Sequence, residues 1–207
     1  MSILRKAAPK KAMTEDVPRP SRSEAEDAVK TLIRWAGDDP GRKELSKTPA
    51  RVVRAYEEWF AGYRDTAENH MGAFKPAHGY KEIIYLRDIA FESHCEHHMA
   101  PIIGKAHVGY LPGSQVIGIS KIVRLVKMFS QRLQSQEKLT DQIADCLNDA
   151  LAPRGVGVVI EAVHECMTTR GVHQADLSMV TSSLRGMFET QARFRQEFLS
   201  GVRLRPA

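Results

Sequence analysis

Residues 83–111 read IIYLRDIAFESHCEHHMAPIIGKAHVGYL, and the architecture is organised around them. Ile83 to Phe91 and Lys105 to Leu111 show the apolar alternation and the β-branched and aromatic enrichment of strands. The run Ser93-His94-Cys95-Glu96-His97-His98 therefore falls in the connection between two strands. Cys95 and His98 form a Cys-x-x-His pair that can close on one metal ion, and a second soft ligand follows at Cys166, within His164-Glu165-Cys166. Two thiolates and a neutral imidazole suit a borderline-soft ion such as zinc. Three protein ligands leave the fourth tetrahedral position to water, as in a catalytic site rather than a structural one. Ligands on a loop held by strands are well placed for chemistry.

Other readings of these residues compete. Cysteine is often a small buried hydrophobe, and Cys146 falls with Leu139, Ile143 and Leu147 on one face of a helical pattern, so it reads as core. A Cys95–Cys166 disulfide is the alternative to metal. Three cysteines without an apolar secretory segment point instead to a reducing, cytoplasmic setting, where close thiols more often hold metal. His94 and His97 remain rival ligands on spacing alone.

Working away from this stretch, Ser23 is expected to cap a helix with Glu26 closing an S-x-x-E box, followed by Ala28, Leu32, Ile33 and Trp35 and stopped by Gly37. Thr48 and Pro49 offer an N-cap and N1 proline to a second helix carrying Val52, Val53, Tyr56, Trp59 and Phe60 and ending near Gly62, with Arg51 in its first turn. Val116 to Ile119 is expected to be a third strand. Two helical patterns follow, one after Ser120 through Phe129 and Leu133, the other from Leu139 to Leu151, ended by Pro153 and Gly155. Val156 to Val163 and Leu177 to Leu184 are strand-like, and Thr190 to Ser200 reads as a closing helix. Strands and helices in runs predict an α+β fold with an antiparallel sheet covered by helices on one face.

The chain has 207 residues, 43% hydrophobic and 27% charged, enough to bury a core as one domain. No stretch approaches the roughly 20 apolar residues that span a bilayer, so no membrane partner is expected. The formal net charge is +5, but Arg5, Lys6, Lys10, Lys11, Arg19 and Arg22 against Glu15 and Asp16 place +4 of it in residues 1–22. That segment also holds Pro9, Pro18 and Pro20 and reads as a disordered basic arm. Because no aromatic residue interleaves its charges for base stacking, nucleic-acid binding is not expected. The remaining residues, 23–207, read as one domain, helical over 23–62 and α+β and catalytic over 80–207.

Cys-Glu-His-His at 95–98, Gly109-Tyr110-Leu111-Pro112, Gly118-Ile119-Ser120-Lys121, and Arg132-Leu133-Gln134 followed by Gln136-Glu137 occur in that order. After them come Gly155-Val156-Gly157-Val158 and His164-Glu165-Cys166-Met167 with Arg170-Gly171-Val172. Together they closely resemble GTP cyclohydrolase I from about Ser23 to the last helix. The resemblance implies a tunnelling fold and a ring-shaped homodecamer with active sites between subunits. It also implies one zinc per chain and conversion of GTP to 7,8-dihydroneopterin triphosphate and formate, the first step of pterin and tetrahydrofolate biosynthesis.

In this resemblance Cys95, His98 and Cys166 match the zinc ligands, and His97 and His164 match acid/base histidines. Water must add at C8 of the purine, a metal makes water more acidic, and imidazole titrates near neutrality. Glu137 matches the residue that accepts from guanine's ring N–H and exocyclic amine, two adjacent donors that adenine does not offer. Gln136 matches a further catalytic position, on the base or the attacked ring. Lys121, Arg124 and Arg170 match phosphate-binding positions, with Ser120 adding a hydroxyl, and Arg51 matches a residue that reaches in from a neighbouring subunit. His94, and His173-Gln174-Ala175-Asp176, depart from the expected pattern. A cysteine-nucleophile nitrile reductase of the same fold is disfavoured because Cys95 has a ligand companion in His98, and a purely structural zinc module would normally present four protein ligands.

Overall fold

A computed structural model of the chain describes residues 18–72 and 74–202, so residues 1–17 of the expected arm lie outside it. The first helix, α1 (Arg22–Trp35), begins earlier than expected because Ser21, not Ser23, is its N-cap. The Ser21 side chain accepts from the Glu24 amide while the Glu24 carboxylate accepts from the Ser21 backbone. Two S-x-x-E boxes overlap here. The earlier one brings Arg22 into the helix, where its guanidinium meets Glu26 one turn on at 3.0 Å. Gly37, at φ +94°, follows the helix in the left-handed region.

The second helix, α2 (Thr48–Trp59), has Lys47 rather than Thr48 at its N-cap, with Pro49 in the first turn, where its missing N–H costs nothing. A 3-10 turn at Ala61–Arg64 follows. Gly62 must lack a side chain because a Cβ there would collide with the Met128 carbonyl. The later elements are α3 (Glu68–Met71), β1 (Lys75–Pro76), β2 (Ile84–Cys95), β3 (Pro101–Leu111), β4 (Gln115–Val116), α4 (Ile119–Ser130) and β5 (Leu133–Gln134). After these come α5 (Gln136–Leu151), β6 (Gly155–His164), α6 (Glu165–Thr168), β7 (Met179–Gly186), α7 (Met187–Thr190) and α8 (Ala192–Gly201).

The main sheet has the order β5-β2-β3-β6-β7. Its long pairs are antiparallel, whereas the two-residue β5 runs parallel to the end of β2, with Leu133 opposite His94. The run Val116 to Ile119 does not form the expected third strand. Only Gln115–Val116 pairs, with Lys75–Pro76, and Ile119 is 69% exposed at the start of α4. So short an apolar run fits a helix start as well as a strand. Leu133, expected on the helix after Ser120, lies in β5. The expected closing helix is α8, which starts at Ala192 because Gln191, extended at φ −124° and ψ 113°, separates it from the short α7.

Side-chain alternation divides the sheet. Ala106, Val108 and Tyr110 of β3 and Val156, Val158 and Ile160 of β6 face Ile122, Leu125 and Phe129 of α4 and Leu139, Ile143 and Leu147 of α5. This is the α+β arrangement expected, with α4 and α5 on one face. In addition, α8 covers one end of the other face by laying Phe198 on Gly109 and Gly157. Cys146 packs against the main core, and burial pushes its thiol up to about 12. Among the described residues no helix is long and apolar enough to cross a membrane.

Candidate active site

The chain reverses at the end of β2. The Cys95 amide donates to the Ala100 carbonyl at 2.8 Å and the Met99 amide to the Cys95 carbonyl at 2.9 Å, with Met99 at φ 54°. Neighbouring residues of a strand point to opposite faces, so His94 turns away from Cys95. It is buried against Trp59 and Phe60, with ring centroids at 4.8 and 5.1 Å. Pairing of β3 with β6 places His164 opposite Ile102, and α6 turns the chain back at once, returning Cys166 to Cys95.

Ligand atoms of Cys95, His98 and Cys166 all lie within 4.8 Å of one another. Cys95 Sγ is 3.9 Å from His98 Nδ1, and the cysteines are free thiols. His97 is exposed and lies outside the trio, its ring T-shaped to His98 with centroids 6.4 Å apart. Burial, and then the adjacent Cys95 thiol, push the Cys166 thiol above its ordinary value. Two neighbouring thiols resist ionising together, and a dication between them removes that penalty. The donor set therefore fits zinc.

A cavity of about 450 Å³ opens beside the trio. It is lined by Cys95, His97, His98 and Cys166 together with Gln136, Glu137 and His164. Ser135 caps α5 by accepting from the Lys138 amide at 3.3 Å, which sets Glu137 in the first turn, where the helix dipole favours a carboxylate. Burial pushes the His164 pKa down, while the Glu137 charge draws it back up. His164 Nε2 lies 2.9 Å from Gln136 Oε1. Arg170 donates to His98 Nε2 at 2.9 Å, so a guanidinium stands at the ligand cluster.

The remaining residues anticipated for the site are elsewhere. Ser120, Lys121, Arg124 and Arg51 do not line this cavity. α4 starts beside Tyr110, whose hydroxyl accepts from the Ile117 amide at 3.4 Å, and runs to Ser130 before β5 pairs with His94 and Cys95. A helix of 12 residues spans roughly 18 Å, so its first turn lies at the opposite end of the sheet from the ligands. Local pattern did not mark the apolar wall of Met167, Leu177 and Met179. Nor did it mark the Glu96–Lys138 ion pair at 3.6 Å that ties the turn to α5. Both depend on pairings between distant segments.

These features define an α+β protein whose sheet ends in an open pocket where a Cys-His-Cys cluster able to hold a metal ion lies beside an imidazole and a carboxylate. The chain matches the GTP cyclohydrolase I family over residues 25–203. It is 53% identical over 182 residues to a GTP cyclohydrolase 1 of Maricaulis maris, covering 87% of this chain and 89% of that one. A GTP cyclohydrolase 1 of Hyphomonas neptunium is 50% identical over 187 residues, 90% of this chain and 91% of that one. One of Allorhizobium ampelinum is 50% identical over 196 residues, 94% and 98% of the two chains. The chain belongs to the GTP cyclohydrolase I family.

Proposed function

We propose that the protein hydrolyses the imidazole ring of the guanine of GTP, giving 7,8-dihydroneopterin triphosphate and formate, the first step of pterin and tetrahydrofolate biosynthesis. The observation that carries this reading is the meeting of the Cys95, His98 and Cys166 ligand atoms with His164 and Glu137 in one cavity. Zinc held by the trio would supply activation of water near neutral pH. Glu137 accepts from the ring N–H and the exocyclic amine and so orients C8 toward the ligands. His164 and His97 take and return protons as water adds at C8 and charge develops on N7. Arg170, beside His98, binds the anionic part of the substrate.

Ser120, Lys121, Arg124 and Arg51 serve the triphosphate from neighbouring copies in a ring, in this reading a homodecamer. Their absence from the lining of the cavity within one chain supports such sharing. Residues 23–207 act as the single catalytic domain. Incubating purified, zinc-loaded protein with GTP should release formate and, after oxidation, a fluorescent pterin in equal amounts, with ATP left intact. Absence of both products from zinc-replete, assembled protein would refute the reading.

A further inference from the structure

Gln136 is 1% exposed, and its amide is bonded on both sides. Its Nε2 donates to the Met179 carbonyl at 2.9 Å, to the Ile160 carbonyl at 3.1 Å and to Thr181 Oγ1 at 3.2 Å. A backbone carbonyl can only accept, so the end of the amide that faces two of them must be the NH₂. The other end, Oε1, can only accept, and it faces His164 Nε2 at 2.9 Å. His164 Nε2 must therefore carry the proton, which leaves Nδ1 with the free lone pair whenever the ring is neutral. The support behind the amide is itself bonded. Thr140 Oγ1 donates to the Gln136 carbonyl at 2.6 Å and meets Thr181 Oγ1 at 2.7 Å.

We infer that Gln136 is a positioning residue for His164: its amide, held by β6 and β7, fixes the ring orientation and the tautomer in which Nε2–H donates to the Gln136 oxygen and Nδ1 is left free. This rests on the reading of His164 as a proton carrier in guanine ring opening, and it differs from a role for Gln136 on the base. Both amide hydrogens are committed to β6 and β7, so reaching a substrate would break the bonds to the Ile160 and Met179 carbonyls and leave the buried amide to find new partners. The tie also explains why the pairing of β6 with β7 bears on the chemistry. Ile160 and Met179 lie on those two strands, with Ile160 opposite Thr181 in the register.

The test is a double-mutant cycle in steady-state turnover of GTP, with Gln136→Met, His164→Ala and the two combined. Methionine keeps the length but neither donates nor accepts. The expected result is a fall in kcat of at least about tenfold in Gln136→Met, with KM for GTP within about twofold of the parent. In the His164→Ala background the second substitution should add nothing, since a residue that acts only through His164 has nothing left to act on. A merely structural role would lower activity further in that background. An additive cycle, or a KM raised tenfold at unchanged kcat, overturns the inference in favour of direct contact with the base.

Should Gln136→Met fail to assemble, Thr181→Val removes one of the three acceptors and leaves both carbonyl bonds. Its smaller loss of kcat must likewise vanish in the His164→Ala background, and persistence there overturns the inference. A parent protein that is zinc-loaded and assembled but releases no pterin from GTP refutes the function, whereas an active parent with an additive cycle refutes only the role of Gln136.

Discussion

Phe198 offers a sharp test of how the sheet is held. Its ring is 0% exposed and fills a groove left by two glycines that face each other across β3 and β6, Gly109 and Gly157. A Cβ at Gly157 would stand 2.5 Å from the Phe198 ring and 2.9 Å from Leu184, and one at Gly109 would stand 2.7 Å from the same ring. Both strand positions beneath the ring are glycines and have no side chain to relax into its space, while Phe188 and Tyr85 pack beside it with ring centroids at 5.2 and 6.3 Å. Phe198→Ala should therefore cost the full transfer and cavity penalty, about 3–5 kcal/mol. For a chain of this length that corresponds to a fall in Tm of roughly 6–20 °C.

Gly157→Ala should cost about 1–3 kcal/mol by overpacking. The two changes together should cost less than their sum, because the alanine methyl occupies part of the cavity. Calorimetry or urea unfolding at one fixed protein concentration measures all three variants, the concentration held because assembly contributes to apparent stability. A loss below about 1 kcal/mol in Phe198→Ala, or strict additivity in the double variant, would show that the glycine groove is not what Phe198 stabilises.

Cys95→Ala and Cys166→Ala should each lose tight zinc and turnover together, and full zinc retention in both by elemental analysis would remove them as ligands. Mixing Arg51→Ala with His164→Ala chains, each far below the parent in turnover, should restore part of the turnover through hybrid sites; hybrids that form without any gain argue against sharing between copies. Glu137→Gln should raise KM for GTP and lower kcat without displacing zinc, since discrimination by paired donors can reach roughly 10⁴-fold; parent-like kinetics would return Glu137 to a plain helix-start acid. His107 is buried and accepts from the Asp88 amide through Nδ1 at 3.2 Å, leaving its Nε2 hydrogen without a partner among the described residues.

Burial holds the His107 pKa below the ordinary 6.5, with Asp88 and Glu161 drawing it back up and Lys105 and Arg87 pressing it further down. The unfolded chain then takes up the proton first. Stability from this group is complete above about pH 6.5 and declines as the pH falls below it. Urea midpoints should fall with that sign, and His107→Phe should shallow the decline without abolishing it, since His94 and His164 are shifted the same way by burial. An unchanged slope would place the effect elsewhere.

What the chain announces locally is periodicity and punctuation. The alternation of residues 83–91 and 105–111, the 3.6-residue spacing through Leu139, Ile143 and Leu147, and Cys-x-x-His at 95–98 are short-range facts, and the strands, α5 and the connection holding the first ligands could be located from them. Ends were harder to place. Ser21 and Ser23 present the same cap, and the ion pair between Arg22 and Glu26 favours the first. The closing of Cys166 on Cys95, the commitment of Gln136 to carbonyls on β6 and β7, and the separation of Lys121 and Arg124 from the ligands depend on strand register and helix direction. Those are set by which buried faces pack against which. No local pattern carries that information, because it arises when segments some 70 residues apart, such as Cys95 and Cys166, are brought together by pairing of β2, β3 and β6.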